Sequence, residues 1–323
     1  MIRVILAGEY PAGTYKKLRE ALPEDGFDLK AVDTVEAYDA MTDAEILILR
    51  IFKASGEMME RNPGLKMILR WGAGYDSVDI KAAGARGILV TNTPGANAAA
   101  VSELAVMLML AVGRRLLRHT SSLSKGEWSK NTFLNSSFCL NNKLTGIIGG
   151  GNIGRQVAAK AQAFGARVQY YDPNRLPPDM EEKWGMTYVP LETLIETSDI
   201  ISLHVPLLES TRHMLGQEEI ERMKDGAVII NTARGGLIDD KALIRAVRSG
   251  KLAGAGLDGV ENEPLSADDP LVQEPDIIVT PHIGGGTADI GDVIIPMLAG
   301  DILDYAAGKK PRHVVNGEFL VTS

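Results

Sequence analysis

Short apolar, β-branched runs recur along this chain, each broken by Gly, Pro or Asn and each followed by an amphipathic stretch. In residues 1–92 the runs are RVILAG, FDLKAV, AEILILR, KMILRWG and ILVTN, with TYKKLREAL and GEMMERN among the segments between them. From about Lys143 the pattern resumes with LTGIIG, RVQYY, IISLHV, AVIINTA, AGAGLDG and DIIVTP, separated by segments such as QVAAKAQAF and DKALIRAVRS. Runs this short, apolar on both faces, predict strands buried in a parallel sheet. Their alternation with helical segments predicts βα units, hence an α/β fold of two doubly wound parallel-sheet domains.

Between the two series lies NTPGANAAA, a breaker-rich crossing, and then a predicted helix over Ser102–Leu117 with Ser102 or a neighbour as its N-cap. The middle of that helix, LAVMLMLAV, is apolar all round, so more than one face must be covered, either within the chain or by a second copy. The stretch GDVIIPMLAGDILDYAAG predicts a last helix that returns to the first domain.

Composition excludes several classes. A net charge of −8 with no basic block argues against a nucleic-acid partner. Cys139 is the only cysteine, so no intrachain disulfide can form, and a reducing, cytoplasmic location is expected. The N-terminal MIRVILAGEYP does not read as a signal peptide, and the longest apolar run, Leu104 to Val112, is about half of a membrane span. No metal-ligand spacing stands out.

Gly149-Gly150-Gly151-Asn152-Ile153-Gly154 follows the strand LTGIIG, opens the helical NIGRQVAAKAQAF, and is followed after the next strand by Asp172. That context turns a weak Gly-rich hexapeptide into a dinucleotide fingerprint: Gly149 for the turn, Gly151 for close approach of a pyrophosphate, Gly154 for helix–strand packing. The helix N-terminus offers free N–H groups to the diphosphate. Asp172 can accept both ribose hydroxyls and repel a 2′-phosphate, favouring NAD over NADP, although Arg175 stands close enough to blur that choice.

Three polar residues sit where strands end: Arg234 after AVIINTA, Glu263 after AGAGLDG, and His282 after DIIVTP. Groups at carboxyl ends of strands converge on the ligand crevice of an open α/β sheet. An arginine can fork onto a carboxylate, and a histidine oriented by a glutamate can give or take a proton. Each also has a plain reading, as a turn cap, a loop brace or a solvated acid. His119, His204, His213 and His313 are expected to carry no chemistry.

The stretches RWGAGYDSVDI, TNTPGANAAAVSEL, GIIGGGNIGR, LHVPLLESTRHML, MKDGAVIINTARGGLIDDKAL, AGAGLDGVENEPL and TPHIGGGT make the chain resemble the D-isomer-specific 2-hydroxyacid dehydrogenases over nearly its whole length. The resemblance implies a Rossmann NAD-binding domain, residues 100–289, inserted into a flavodoxin-like substrate-binding domain of residues 1–99 and 290–323. It implies a homodimer, and a cleft in which hydride passes between NAD(H) and a small D-2-hydroxy acid. The family's catalytic residues fall on Arg234, Glu263 (the glutamate before Pro264, in preference to Glu261) and His282. Substrate carboxylate is expected on the backbone N–H groups of Ala73 and Gly74 as well as on Arg234. Asp258 is expected to hold the nicotinamide carboxamide, Thr232 and Ala233 to line the cofactor with Asn152 and Ile153, and Val205 to border the diphosphate.

Arg50 and Arg70 match positions where phosphoglycerate dehydrogenases set arginines against a phosphate, which makes 3-phosphoglycerate a candidate substrate. The competing expectation is that they serve the sheet edge and that the substrate is an unphosphorylated acid, as in glyoxylate, hydroxypyruvate or D-lactate enzymes. His282 is followed by too short a segment for the regulatory domain of long phosphoglycerate dehydrogenases. An interaction protein of the corepressor type, sensing NAD(H), would keep the same fold and triad; the long tails or peptide-binding extension that would mark it are not seen.

Overall fold

The structure is a computed structural model and describes residues 1–321. It contains twelve strands: β1 Ile2–Ala7, β2 Phe27–Val32, β3 Ile46–Leu49, β4 Met67–Arg70, β5 Leu89–Thr91, β6 Leu144–Ile148, β7 Arg167–Tyr171, β8 Thr187–Tyr188, β9 Ile200–Leu203, β10 Ala227–Asn231, β11 Leu252–Leu257 and β12 Ile277–Val279. They form two sheets in two compact units, one of Met1–Asn97 with the segment from Gly286, the other of Ala98–Gly285.

The first unit holds five parallel strands in the order β2-β1-β3-β4-β5. Both faces are covered, which is why the strands read as unbroken apolar runs. Val4, Leu6, Ile46, Ile48, Met67 and Leu69 pack under Leu18 and under Ile294, Leu298 and Ile302 of the helix Gly291–Ala306. Ile5, Leu47 and Ile68 alternate onto the opposite face with Met58 and Met59. Beyond β5 the fully buried Asn316 accepts from Val90 N–H at 2.9 Å and donates to the Ile88 carbonyl at 2.9 Å, satisfying that edge without a further strand.

The second unit holds seven parallel strands in the order β12-β11-β10-β9-β6-β7-β8. Strands β6 and β9 pair directly, and the chain winds outward from them in both directions. β8 is two residues long, too short to register as a periodic run, and was not expected from the sequence.

The helix predicted over Ser102–Leu117 is two. One spans Ala98–Gly113, and a second, Leu116–Ser124, begins after Arg115, which has a left-handed φ of 50°. Helix-favouring alanines 98–100 extend the first helix backward, so Ser102 lies inside it and its hydroxyl donates to the Ala99 carbonyl at 2.8 Å rather than capping. Ala105, Leu108 and Met109 are fully buried, while Met107 remains 51% exposed. Among the described residues no helix is long and apolar enough to cross a membrane.

Candidate active site

The glycine loop ends β6 and opens the helix Asn152–Ala163. Gly149 has φ 105°, and a Cβ there would stand 2.5 Å from the His204 carbonyl and 3.0 Å from Val205 Cγ1. At Gly154 a Cβ would stand 2.0 Å from the Gly149 carbonyl, so the helix can pack onto its strand only with glycine there. Gly151 differs: a Cβ would meet nothing within 4 Å, and no packing within the chain demands its glycine. A bare, open backbone at a helix N-terminus is a fit for a diphosphate. Asn152 is exposed and its Oδ1 accepts from Arg155 at 2.7 Å, and Ile153 packs partly buried against the core.

Asp172, at the end of β7, reaches back to this loop. One carboxylate oxygen accepts from Gly150 N–H at 2.8 Å and the other from Asn174 N–H at 2.8 Å, so each oxygen keeps acceptor capacity for a ribose hydroxyl. Arg175 is turned to Glu181, with Nε and Nη2 donating at 2.8 and 3.0 Å, and its guanidinium lies 5.0 Å from the centre of the Tyr188 ring. The two charge-assisted bonds push the Glu181 carboxyl down to about 2. At the ends of β9 and β10, His204 Nδ1 and Thr232 Oγ1 are buried with no hydrogen-bond partner. Burial drives the His204 ring well below its ordinary range, to about 3.

Glu263 and His282 meet directly: His282 Nδ1 is 3.1 Å from Oε2 and 3.2 Å from Oε1. His282 has a left-handed φ of 54°, and its N–H donates to the Thr280 carbonyl at 2.9 Å. The turn that carries it is pinned by Asp258, only 3% exposed. Asp258 Oδ1 accepts from Thr280 Oγ1 (2.6 Å) and Ile283 N–H (2.8 Å), and Oδ2 from Gly284 N–H (2.8 Å). Glu263 is braced from its own loop, with Oε1 accepting from Val260 N–H at 3.3 Å.

Arg234 follows β10, and its Nη1 donates to the Ala233 carbonyl at 2.8 Å. Its turn lies backbone to backbone against the Glu263 loop: a Cβ at Gly235 would fall 1.8 Å from the Val260 carbonyl, and one at Gly259 3.1 Å from Arg234 Cα. The residue between these two loops is Asn231, 1% exposed, which sequence reasoning passed over. An asparagine at a buried strand end, where a turn must find main-chain partners, is the signal that could have marked it. Asp240 was also missed. Its carboxylate accepts from Glu261 N–H at 3.2 Å, and burial beside Glu261, Asp269 and Asp239 pushes it up to about 6. Among the described residues no group of His, Cys, Asp and Glu could hold a metal ion.

In the first unit, Arg70 donates from Nε to the Gly74 carbonyl at 3.1 Å and from Nη1 to the Leu49 and Arg50 carbonyls, both at 2.7 Å. Arg50 donates to the Glu9 carbonyl. Ala73 offers its carbonyl to Asn92 at 2.7 Å, and Gly72 N–H donates to Thr93 Oγ1 at 3.0 Å, so the turn of residues 72–74 is held open by side chains from the end of β4 and from beyond β5.

A family model described as "D-isomer specific 2-hydroxyacid dehydrogenase, NAD binding domain" matches residues 106–284. A glyoxylate reductase of Thermococcus litoralis is 40% identical over 276 residues, covering 84% of this chain and 83% of the relative. A D-3-phosphoglycerate dehydrogenase of Methanocaldococcus jannaschii is 40% identical over 283 residues, covering 87% of this chain but 53% of the relative. Among solved structures, a glyoxylate reductase from Paecilomyes thermophila superposes with a TM-score of 0.85 at 32% identity, covering 97% of this chain and 98% of that one.

Proposed function

The chain belongs to the D-isomer-specific 2-hydroxyacid dehydrogenases, NAD-dependent oxidoreductases of small 2-hydroxy and 2-keto acids, and from that premise we propose that it reduces glyoxylate or a closely similar unphosphorylated 2-keto acid. The observation that carries the chemistry is the Glu263–His282 pair, a carboxylate on the far nitrogen of a histidine whose other nitrogen is left for the substrate.

When bound, the nicotinamide cofactor supplies the hydride to C2 in reduction and accepts it in oxidation. Negative charge then gathers on the carbonyl oxygen, and His282 gives that oxygen its proton, becoming neutral. Glu263 fixes the ring so that its other nitrogen is turned to the substrate. Arg234 forks onto the substrate carboxylate and draws charge toward the carbonyl oxygen. In oxidation neutral His282 takes the hydroxyl proton. Gly151 and the helix N-terminus receive the diphosphate, and Asp172 the adenine ribose, with Val205, Thr232 and Ala233 along the cofactor.

The preference for an unphosphorylated acid rests on Arg50 and Arg70. Arg70 uses its head group on three main-chain carbonyls and Arg50 on another, which is the work of bracing the loops that leave the interior strands β1, β3 and β4. The glyoxylate reductase of Thermococcus litoralis supports the same reading. The test is NADH oxidation with glyoxylate, hydroxypyruvate, pyruvate and 3-phosphohydroxypyruvate. Preference for glyoxylate or hydroxypyruvate, unchanged in Arg50→Ala, is expected. A preference for the phosphorylated acid that disappears in Arg50→Ala would replace this substrate with 3-phosphoglycerate.

The enzyme works as a homodimer across the outer side of the helix Ala98–Gly113. Met107, Leu110, Leu116 and Phe164 there border a largely apolar cavity of about 540 Å³, and Met107 and Phe164 are half exposed. Sedimentation of the wild type and of Met107→Glu checks this. The single cysteine accords with a cytoplasmic setting.

A further inference from the structure

We propose that Asn231 is a positioning residue for the reaction, the clasp that fixes the Arg234 turn against the Glu263 loop; the inference rests on the catalytic roles given above. Asn231 is the last residue of β10, and its side chain is enclosed between the chain leaving β10 and the chain leaving β11. Nδ2 donates to the Arg234 carbonyl at 2.8 Å and to the Gly259 carbonyl at 3.3 Å, while Oδ1 accepts from Ala233 N–H at 3.0 Å. One amide therefore joins both loops and uses both of its donors and its acceptor. The main chain reinforces the joint, since the Asn231 carbonyl accepts from Asp258 N–H at 2.8 Å.

Only an asparagine head satisfies this arrangement. Aspartate has the shape but no donor, and would set an anion against two carbonyl oxygens. Serine reaches one partner, and leucine leaves two buried carbonyls unpaired. Gly235 and Gly259 permit the loops to touch without intervening side chains, so no other side chain can replace the clasp. Arg234 is one end of the joint and Glu263, with His282 bonded to it, lies four residues past the other, at Gly259. Loosening Asn231 should separate the carboxylate clamp from the proton donor while leaving the glycine loop and Asp172 untouched. A displacement of about 1 Å between reacting groups costs about 10²-fold in rate.

The experiment compares wild type with Asn231→Asp, and with Asn231→Ser should the aspartate variant fail to fold. Two quantities are read: kcat and KM for glyoxylate, and amide hydrogen exchange in segments 232–237, 258–264 and 149–155 of the ligand-free enzyme. Expected are a kcat lowered by about 10²-fold and faster exchange in segments 232–237 and 258–264 together, with exchange in 149–155 as in wild type. Unchanged exchange in either of the first two segments, a kcat within about threefold of wild type, or faster exchange in all three segments would overturn the clasp. Failure of the functional reading shows separately, as a wild type that turns over no 2-keto acid; the exchange result then decides alone whether Asn231 joins the loops.

Discussion

Glu263 and His282 leave different strands, β11 and β12, and their side chains meet with Oε2 3.1 Å from Nδ1. A carboxylate on that nitrogen fixes the ring and directs the opposite nitrogen outward. His282→Ala should lower kcat/KM for keto-acid reduction by about 10²–10⁴-fold, the usual worth of a positioned proton donor. Glu263→Gln keeps the shape but replaces the acceptor on Nδ1 with an amide that holds the ring less firmly, so it should cost less than the loss of the histidine. Steady-state rates across pH 5–9 separate the two, and a His282→Ala enzyme with wild-type kcat would end the assignment.

Gly151 and Gly154 are three residues apart and fail for opposite reasons. Alanine at Gly154 would place its Cβ 2.0 Å from the Gly149 carbonyl, a backbone clash with no soft partner, and should destabilise by about 1–3 kcal/mol or more. Alanine at Gly151 meets no protein atom within 4 Å; thermal stability should stay within about 0.5 kcal/mol. NADH affinity of Gly151→Ala, however, should fall at least about tenfold, because the methyl group takes the place of the diphosphate. Thermal melts with NADH titration distinguish clash from blockage, and a Gly151→Ala enzyme with normal affinity would remove the loop from the cofactor site.

Asp172 holds Gly150 N–H while Arg175 is held by Glu181. NADH should therefore be preferred to NADPH, and Asp172→Ala alone should weaken NADH by about tenfold without creating a good NADPH site, since charge-assisted bonds are lost and Arg175 stays engaged. Adding Glu181→Gln frees the guanidinium for a 2′-phosphate, and the double variant should bind NADPH more tightly than either single one. Equal NADPH affinity in the single and double variants would show that Arg175 lies outside the ribose site.

Strand positions were legible because apolar β-branched runs in buried parallel sheets have few competing readings, and the fingerprint was legible because strand, loop and acid had to fall in order. The break at Arg115 was not, since an arginine in a left-handed conformation leaves no compositional mark. Nor was β8, whose two residues carry no period. At the candidate site Arg234, Glu263 and His282 stood out as polar groups at strand ends, but the side chains that hold their loops did not. Asn231 and Asp240 act on main-chain groups, and which carbonyl or N–H comes within reach is decided by loop packing that the sequence does not spell out. Asp258 was noticed for the cofactor alone, yet its three bonds all go to the turn that bears His282.

Stability should depend on pH through two groups of opposite sign. His204 is depressed from 6.5 to about 3 by burial, so in that window the unfolded chain binds more protons, and its contribution is complete above pH 6.5 and is lost as pH falls. Asp240 is raised from 3.8 to about 6, chiefly by burial; the folded chain binds more protons there, and its contribution is complete below 3.8 and is lost as pH rises through 6. Between roughly pH 4 and 6 the two slopes oppose, each at most about 1.4 kcal/mol per pH unit. Wild type should therefore show a shallow acid dependence in that range. Asp240→Asn should steepen it, and His204→Gln should reverse or flatten it. Urea unfolding of the second unit's transition at pH 4.5, 5.5 and 7 measures all three, and a steep wild-type slope unaffected by Asp240→Asn would show that the carboxyl is ionised throughout.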